Sequence, residues 1–136
     1  MKRLAIDTNA LIDLLEKGNR PPESFLEYGE LIVPATVLGE YRAGLYNTKR
    51  GQSMLWKLQC FLEKASVKTV SIGERTAELY AKVFQALREM GRPIPQNDIW
   101  IAASALEHGA DLATTDGHFR LVPLLTVIVT RSVTDR

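Results

Sequence analysis

Five short, mainly apolar runs recur along the chain, and stretches with helical periodicity separate them. Apolar runs without alternating polar residues are typical of strands in a sheet that is covered on both faces. Strands that alternate with helices pair in parallel. The pattern therefore predicts an α/β protein, a three-layer α/β/α sandwich around a central, mostly parallel sheet of four to five strands. The predicted strands cover residues 4–6, 31–33, 67–71, 111–115 and 127–129, the last at an edge.

The segments between these runs carry helix start and stop signals. Thr8 or Asn9 is available as the cap of the first helix, and Asn97 as the cap of the last. Gly18 and Gly109 mark helix ends. The predicted helices cover residues 10–16, 21–26, 35–46, 52–65, 74–90 and 98–108.

Length and composition indicate one domain, over residues 1–136, that is large enough for a hydrophobic core. The 17 basic and 16 acidic side chains leave a net charge of +1, so any surface for a polyanion must be local. The single cysteine, Cys60, forms no internal disulfide, and we expect it to act as a small apolar residue. The apolar stretch near the start is interrupted at Asp7, and no run reaches the ~20 residues that span a bilayer. We therefore expect a cytoplasmic protein without a membrane partner.

Four acidic residues far apart in sequence fall at equivalent places in this pattern. Asp7 and Asp116 follow the first and fourth strands, whereas Asp98 opens a helix and Glu40 lies at the edge of a helix's apolar stripe. Functional groups of an open α/β sheet gather at the carboxyl ends of its strands. Four carboxylates converging there would repel one another, and a divalent cation is the usual remedy. The sequence therefore predicts a metal site built from these four acids.

The other titratable residues are expected to lie outside this site. Asp111 begins its strand and should occupy the opposite edge of the sheet, and Asp13 should be a solvated or capping group. Both histidines are expected to be structural or surface groups, although His118 follows Asp116 closely enough for an auxiliary role. The acids expected to be exposed helix charges are Glu16, Glu27, Glu63, Glu74, Glu78 and Glu89.

Four segments carrying these acids, in order and spanning nearly the whole chain, resemble the motifs of PIN-domain ribonucleases. They are residues 1–12, 37–44, 91–103 and 112–119, and the closer resemblance is to the VapC-type toxins of toxin–antitoxin pairs. One departure is that many relatives carry Asn near the fourth acidic position, where this chain has Asp116. Thr115 is a candidate to assist that residue.

The resemblance implies an endoribonuclease that depends on Mg²⁺ or Mn²⁺, is usually a homodimer and is inhibited by a cognate antitoxin. Asp7 and Asp98 are then the expected metal ligands, and Asp116 completes the site. Glu40 is expected to bind a second ion or to hold a water at the metal. By the same resemblance, cleavage of RNA should leave 5′-phosphate and 3′-hydroxyl ends.

Contacts with RNA and with protein partners are expected elsewhere on the surface. The helix over residues 52–65 has its apolar stripe on one side and Trp56 on the other, so Trp56 either contacts a partner or is buried between layers. The stripe consists of Met54, Leu55, Leu58, Phe61 and Leu62. The candidate RNA-binding residues are Arg42, Lys49, Arg50, Arg92 and Arg120.

Three other functions agree less well with the sequence. A haloacid-dehalogenase-type phosphatase needs a second Asp two residues after the first, and this chain has Asn9 there. A receiver domain needs an acidic pair before its phosphorylated Asp, which is missing. A non-catalytic RNA- or protein-binding module on the same fold would be expected to have lost one or more of the four acids, and all four are present.

Overall fold

A parallel sheet runs through the part of the chain that the computed structural model describes, residues 1–17 and 21–130. Its five strands lie in the order β3-β2-β1-β4-β5, and all four pairings are parallel. Helices flank the sheet, so the predicted α/β/α fold class is confirmed, as is the edge position of the last strand. The strands are β1 Arg3–Ile6, β2 Glu30–Pro34, β3 Val67–Val70, β4 Asp111–Thr114 and β5 Val127–Val129.

The helices lie close to the predicted segments, with shorter turns between some of them. The helix α1 continues directly into a π-helical turn at Asp13–Lys17, and 3₁₀ turns form at Glu23–Glu27 and Gly117–Leu121. No helix among the described residues is long and apolar enough to cross a membrane. The five α-helices of that part are α1 Thr8–Ile12, α2 Ala35–Leu45, α3 Gly51–Leu62, α4 Glu74–Glu89 and α5 Gln96–Glu107.

The predicted caps of the first and last helices were wrong. Asp7 caps α1, because its extended backbone lets Oδ1 accept a hydrogen bond from the main-chain nitrogen of Ala10 at 2.9 Å. The helix α5 begins two residues earlier than expected, after Pro95, so Asn97 lies in its first turn instead of capping it. Both changes matter for function, because they leave the side chains of Thr8 and Asn97 available for other contacts.

The core surrounds β1 and α5. Leu4, Ala5 and Ile6 of β1 are fully buried, as expected for a central strand with helices on both faces. The helix α5 packs on β1, β2 and β4, and its buried alanines Ala102 and Ala105 let its backbone approach the sheet closely. This packing fixes the first turn of α5 beside the carboxyl ends of β1 and β4.

Glu16 departs from its expected place on an exposed helix surface. Its side chain is only 13% exposed, and its carboxylate accepts hydrogen bonds from Tyr41 Oη and Arg50 Nε, both at 2.8 Å. The π-helical turn directs Glu16 toward α2 and the start of α3, which simple α-helical periodicity does not predict. Arg50, predicted to contact RNA, is therefore engaged in an intramolecular ion pair.

The helix α3 is amphipathic with one departure from its predicted stripe. Leu58 and Phe61 are buried, and the structure packs Met54 and Leu62 against the core. Leu55 is instead partly exposed, because it lies at the margin of the buried face. Trp56 is 70% exposed, and Cys60 is exposed on the same helix. Burial of Trp56 between layers was therefore the wrong alternative.

Candidate metal centre

Asp7 lies at the carboxyl end of β1 and is 5% exposed. One carboxylate oxygen caps α1, and the other accepts a hydrogen bond from Thr114 Oγ1 at 2.5 Å. Burial raises the pKa of Asp7 from 3.8 to about 6, although both hydrogen bonds act in the opposite direction. The negative charges of Asp98 and Asp116 add to the increase. Asp7 is therefore a buried acid in a field set by two other carboxylates.

Thr114, the last residue of β4, connects Asp7 to Asp116. Its side chain is fully buried, and Oγ1 also accepts a hydrogen bond from the main-chain nitrogen of Asp116 at 2.9 Å. The assistance of Asp116 by Thr115 stays a prediction, whereas Thr114, which was not among the predicted residues, donates to the carboxylate of Asp7. Successive side chains of a strand point to opposite faces, so the exact end of β4 decides which of the two threonines faces Asp7.

His118 lies between two of the predicted acids. Its ring nitrogen Nδ1 is 2.6 Å from Asp116 Oδ2, and Nε2 is 2.9 Å from Asp98 Oδ2. Its main-chain nitrogen also donates to Asp116 Oδ1 at 3.0 Å. These contacts place His118 beside two of the predicted acids, as the auxiliary role requires, and whether its role is auxiliary or structural stays a prediction. The only sequence signal for this position was its separation of two residues from Asp116.

Asp98 occupies the first turn of α5, where the helix dipole favours a negative charge. Partial burial nevertheless raises its pKa, and the contact with His118 acts in the opposite direction. Repulsion from Glu40 and Asp116 contributes further to the increase. Through these two contributions, Asp98 shares an electrostatic environment with both acids.

Glu40 approaches the other acids from α2 and has its own hydrogen bonds. Its Oε1 accepts a hydrogen bond from Thr8 Oγ1 at 2.7 Å, and its Oε2 accepts one from Asn97 Nδ2 at 3.3 Å. Thr8 follows Asp7 in sequence and Asn97 precedes Asp98, so Glu40 is tied to both neighbours. The two side chains that had been assigned to helix caps therefore orient Glu40.

Hydrogen bonds and chain neighbours thus connect the four predicted acids, although the acids do not contact one another directly in the contacts described above. Thr114 joins Asp7 to Asp116, and His118 joins Asp116 to Asp98. Asp111 lies at the opposite end of β4, where it accepts a hydrogen bond from Tyr28 at 2.5 Å, as its predicted exclusion requires.

The donor chemistry of this network fits a hard divalent cation. Within residues 1–17 and 21–130, no three Asp, Glu, His or Cys side chains are arranged as a ready ligand set. Mg²⁺ is commonly bound through only one or two carboxylates and keeps several waters, so three preformed ligands are not required. Burial is the main cause of the raised pKa values of Asp7 and Asp98, and neighbouring carboxylates add to both, so a cation bound here would favour the charged form of both acids.

Comparison with known proteins agrees with this architecture. Residues 4–124 match the sequence model of the PIN domain. The chain belongs to the PIN domain family. It is 29% identical to Ribonuclease VapC4 of Mycobacterium tuberculosis, over 94% of this chain and 97% of that protein. It is 28% identical to Ribonuclease VapC1 of Haemophilus influenzae strain R2866, over 80% of this chain and 83% of that protein.

Solved structures show the same PIN fold. VapBC-1 from nontypeable Haemophilus influenzae contains a chain with a TM-score of 0.79 and 25% identity, over 93% of this chain and 97% of that one. VapBC2 from Rickettsia felis, bound to a DNA fragment from its promoter, contains one with a TM-score of 0.82 and 21% identity, over 93% and 98%. The resemblance to PIN-domain proteins of the VapC type is therefore confirmed.

Proposed function

We propose that this chain is a divalent-metal-dependent endoribonuclease and the toxin component of a toxin–antitoxin pair. The observation that carries the proposal is the network joining Asp7, Asp98 and Asp116 through Thr114 and His118 at the carboxyl edge of the sheet. The relatives named ribonucleases match this chain over most of their own length. A PIN domain that keeps its complete set of acids supports hydrolysis over a purely binding role.

Asp7 and Asp98 would hold a Mg²⁺ or Mn²⁺ ion, with Asp116 completing the protein's contribution. Bound there, the ion would lower the pKa of an attacking water and neutralise charge on the scissile phosphate. Thr114 and the Ala10 main chain fix the Asp7 carboxylate in one orientation, which avoids reorganisation when substrate binds.

Glu40 would orient the attacking water from the α2 side of the site. Its two hydrogen bonds, from Thr8 and Asn97, hold the carboxylate without neutralising it, because both donors are uncharged. A carboxylate held in this way is suited to accept a proton from water as the water attacks phosphorus. Binding of a second ion by Glu40 is the other role that its oxygen donors allow.

The RNA backbone would be held by basic side chains around the site. Of the candidates, Arg42, Lys49, Arg92 and Arg120 are exposed and carry no ion pair among the salt bridges described for the structure. Arg50 is also exposed but is paired with Glu16, so its contribution to phosphate binding should be smaller. Such contacts with phosphates do not depend on the base sequence of the RNA, and they would position the RNA strand for cleavage.

An antitoxin partner and a homodimer are part of the same proposal. The solved structures with this fold include several complexes described as VapBC, and two of these are bound to DNA. On this chain, the exposed Trp56 on α3 offers an aromatic anchor of the kind that protein interfaces favour.

The test is cleavage of a structured RNA by the purified protein in Mg²⁺ or Mn²⁺, compared with EDTA. The parent should cleave only with metal and leave 5′-phosphate and 3′-hydroxyl ends. Asp7→Asn should lose at least 100-fold in rate, because removing a charged ligand weakens metal binding and transition-state stabilisation together.

Asp111→Asn is the matched control, since it changes an Asp of the same sheet at the opposite edge and keeps an oxygen for Tyr28. This control should cleave as fast as the parent. Equal cleavage by the parent and Asp7→Asn would identify a contaminating nuclease and refute the assignment. Tight RNA binding without cleavage under any metal would favour the non-catalytic module.

A further inference from the structure

The imidazole of His118 occupies a position between two carboxylates. Its two ring nitrogens lie on opposite sides of the ring, one 2.6 Å from Asp116 Oδ2 and the other 2.9 Å from Asp98 Oδ2. Asp116 comes from the end of β4 and Asp98 from the first turn of α5, so the ring is the group that connects these two elements at the site. Bridging two carboxylates from separate elements is the role that the proposed cation would have.

We propose that His118 substitutes for the cation in the metal-free protein, and that it must release at least one of these carboxylates when a cation binds. This inference rests on the proposed function, because it concerns the same Mg²⁺ or Mn²⁺ site. A Mg²⁺ ion needs carboxylate oxygens at 2.0–2.1 Å in nearly ideal octahedral geometry. Imidazole nitrogens in hydrogen-bond contact with Oδ2 of both acids would compete with an ion for those two oxygens.

The local structure lets the ring leave without unfolding of its turn. A hydrogen bond from the main-chain nitrogen of His118 to the side-chain oxygen Oδ1 of Asp116 holds the start of the turn, and this bond does not involve the ring. The neighbouring side chain, Phe119, is buried and anchors the segment. The ring of His118 packs beside that of Phe119 with centroids 4.9 Å apart, but it remains 27% exposed. Rotation of the His118 side chain toward solvent therefore leaves the backbone in place.

Competition between the ring and the metal predicts that removing the ring strengthens metal binding. Breaking one or two hydrogen bonds to charged groups costs affinity in the parent, and His118→Ala avoids that cost. We expect the Kd for Mn²⁺, measured by calorimetry at one fixed pH, to fall about tenfold in His118→Ala. His118→Gln, whose amide can still reach one carboxylate, should show a smaller decrease.

The second histidine provides the matched control. His108 caps the C-terminal end of α5, whereas Asp98 lies in the first turn of that helix, and the His108 ring is 3.9 Å from Glu107. His108→Ala should bind Mn²⁺ with the affinity of the parent. In the parent, titration with diamagnetic Mg²⁺ should shift the side-chain ¹⁵N resonances of His118 and leave those of His108 unchanged.

The outcomes separate this inference from the proposed function. If neither the parent nor His118→Ala binds Mn²⁺, the metal site itself is refuted. If the parent binds Mn²⁺ and folded His118→Ala binds it equally or more weakly, the ring either has no effect on metal binding or is itself a ligand. The proposal that His118 takes the place of the cation is then refuted. Unshifted His118 resonances at saturating Mg²⁺ would refute it as well, whereas binding by His118→Ala alone would support it strongly.

Discussion

The hydrogen bonds of Asp7 and its burial have opposite effects on its charge state. Its carboxylate caps α1 and accepts the Thr114 hydroxyl, which favours the charged form, yet burial disfavours that form more strongly. The net result is a pKa raised to about 6, and the charges of Asp98 and Asp116 contribute to it. When charged, a buried acid of this kind lowers the stability of the folded protein. Acids with such raised pKa values are typical of functional sites.

The free energy of unfolding of the metal-free protein should therefore depend on pH through Asp7. Because its pKa is higher in the folded than in the unfolded chain, the protonated group stabilises the fold at pH below 3.8, and this contribution is lost as the pH rises through about 6. In EDTA at pH 7.5, Asp7→Asn should be more stable than the parent by up to about 3 kcal/mol. The asparagine oxygen can still cap α1.

Urea unfolding of both proteins at pH 4.5 and 7.5 measures this difference. The difference in the free energy of unfolding between Asp7→Asn and the parent should be smaller at pH 4.5, where the Asp7 carboxyl of the parent is largely neutral. A variant that is less stable than the parent at pH 7.5 would show that the cap and the Thr114 bond outweigh the cost of the buried charge.

The sequence predicted the site residues only where the chemical type of the side chain was enough to identify them. The acids were identifiable because four carboxylates, each a weak signal alone, fall at equivalent positions of the α/β pattern. Thr114 and His118 were not, because their roles depend on side-chain direction. A one-residue shift in the end of β4 exchanges Thr114 for Thr115, and the 3₁₀ turn after Asp116 decides where the imidazole of His118 points.

At the scale of elements, α3 packs one face against the core and leaves one large aromatic side chain exposed on another face. Leu58 and Phe61 bury the helix against the protein, while Trp56 is 70% exposed and Cys60 lies on the exposed surface too. Helical periodicity predicted this division, because positions two residues apart on a helix face different directions. It did not predict the exposure of Leu55, which depends on how α3 is rotated against its neighbours.

Trp56→Ala should weaken self-association or antitoxin binding about tenfold or more while leaving the fold intact. The exposed indole contributes little to folding, so the free energy of unfolding should change by no more than about 0.5 kcal/mol. An interface that uses it as an anchor would lose a large share of its binding energy. Sedimentation velocity and calorimetric titration with the cognate antitoxin measure both effects.

Leu26→Ala is a suitable control, because Leu26 is 79% exposed and lies on a different element. This variant should associate like the parent. If sedimentation and antitoxin affinity are both unchanged in Trp56→Ala, Trp56 anchors neither interface.

At the scale of the molecule, the strand order determines where the acids meet. With β1 and β4 adjacent and central, the residues that follow them lie side by side, and α2 and α5 bring Glu40 and Asp98 to the same edge. The sequence predicted parallel pairing and the identity of that edge. It did not predict the strand order, because runs of similar apolar residues carry no information on which strand lies next to which. The single-domain organisation stays a prediction.

Cation binding should stabilise the whole fold, because the folded chain alone gathers the acids. At a Mn²⁺ concentration 100 times the Kd, linkage contributes about 2.7 kcal/mol, which for a domain of this size raises the melting temperature by about 10 °C relative to EDTA. The increase should be largely lost in Asp98→Asn, which removes a proposed ligand, and retained in Asp111→Asn, at the opposite edge of the sheet. Equal melting temperatures of the parent in saturating Mn²⁺ and in EDTA would mean that the folded chain has no preference for the ion, and the metal site would be refuted.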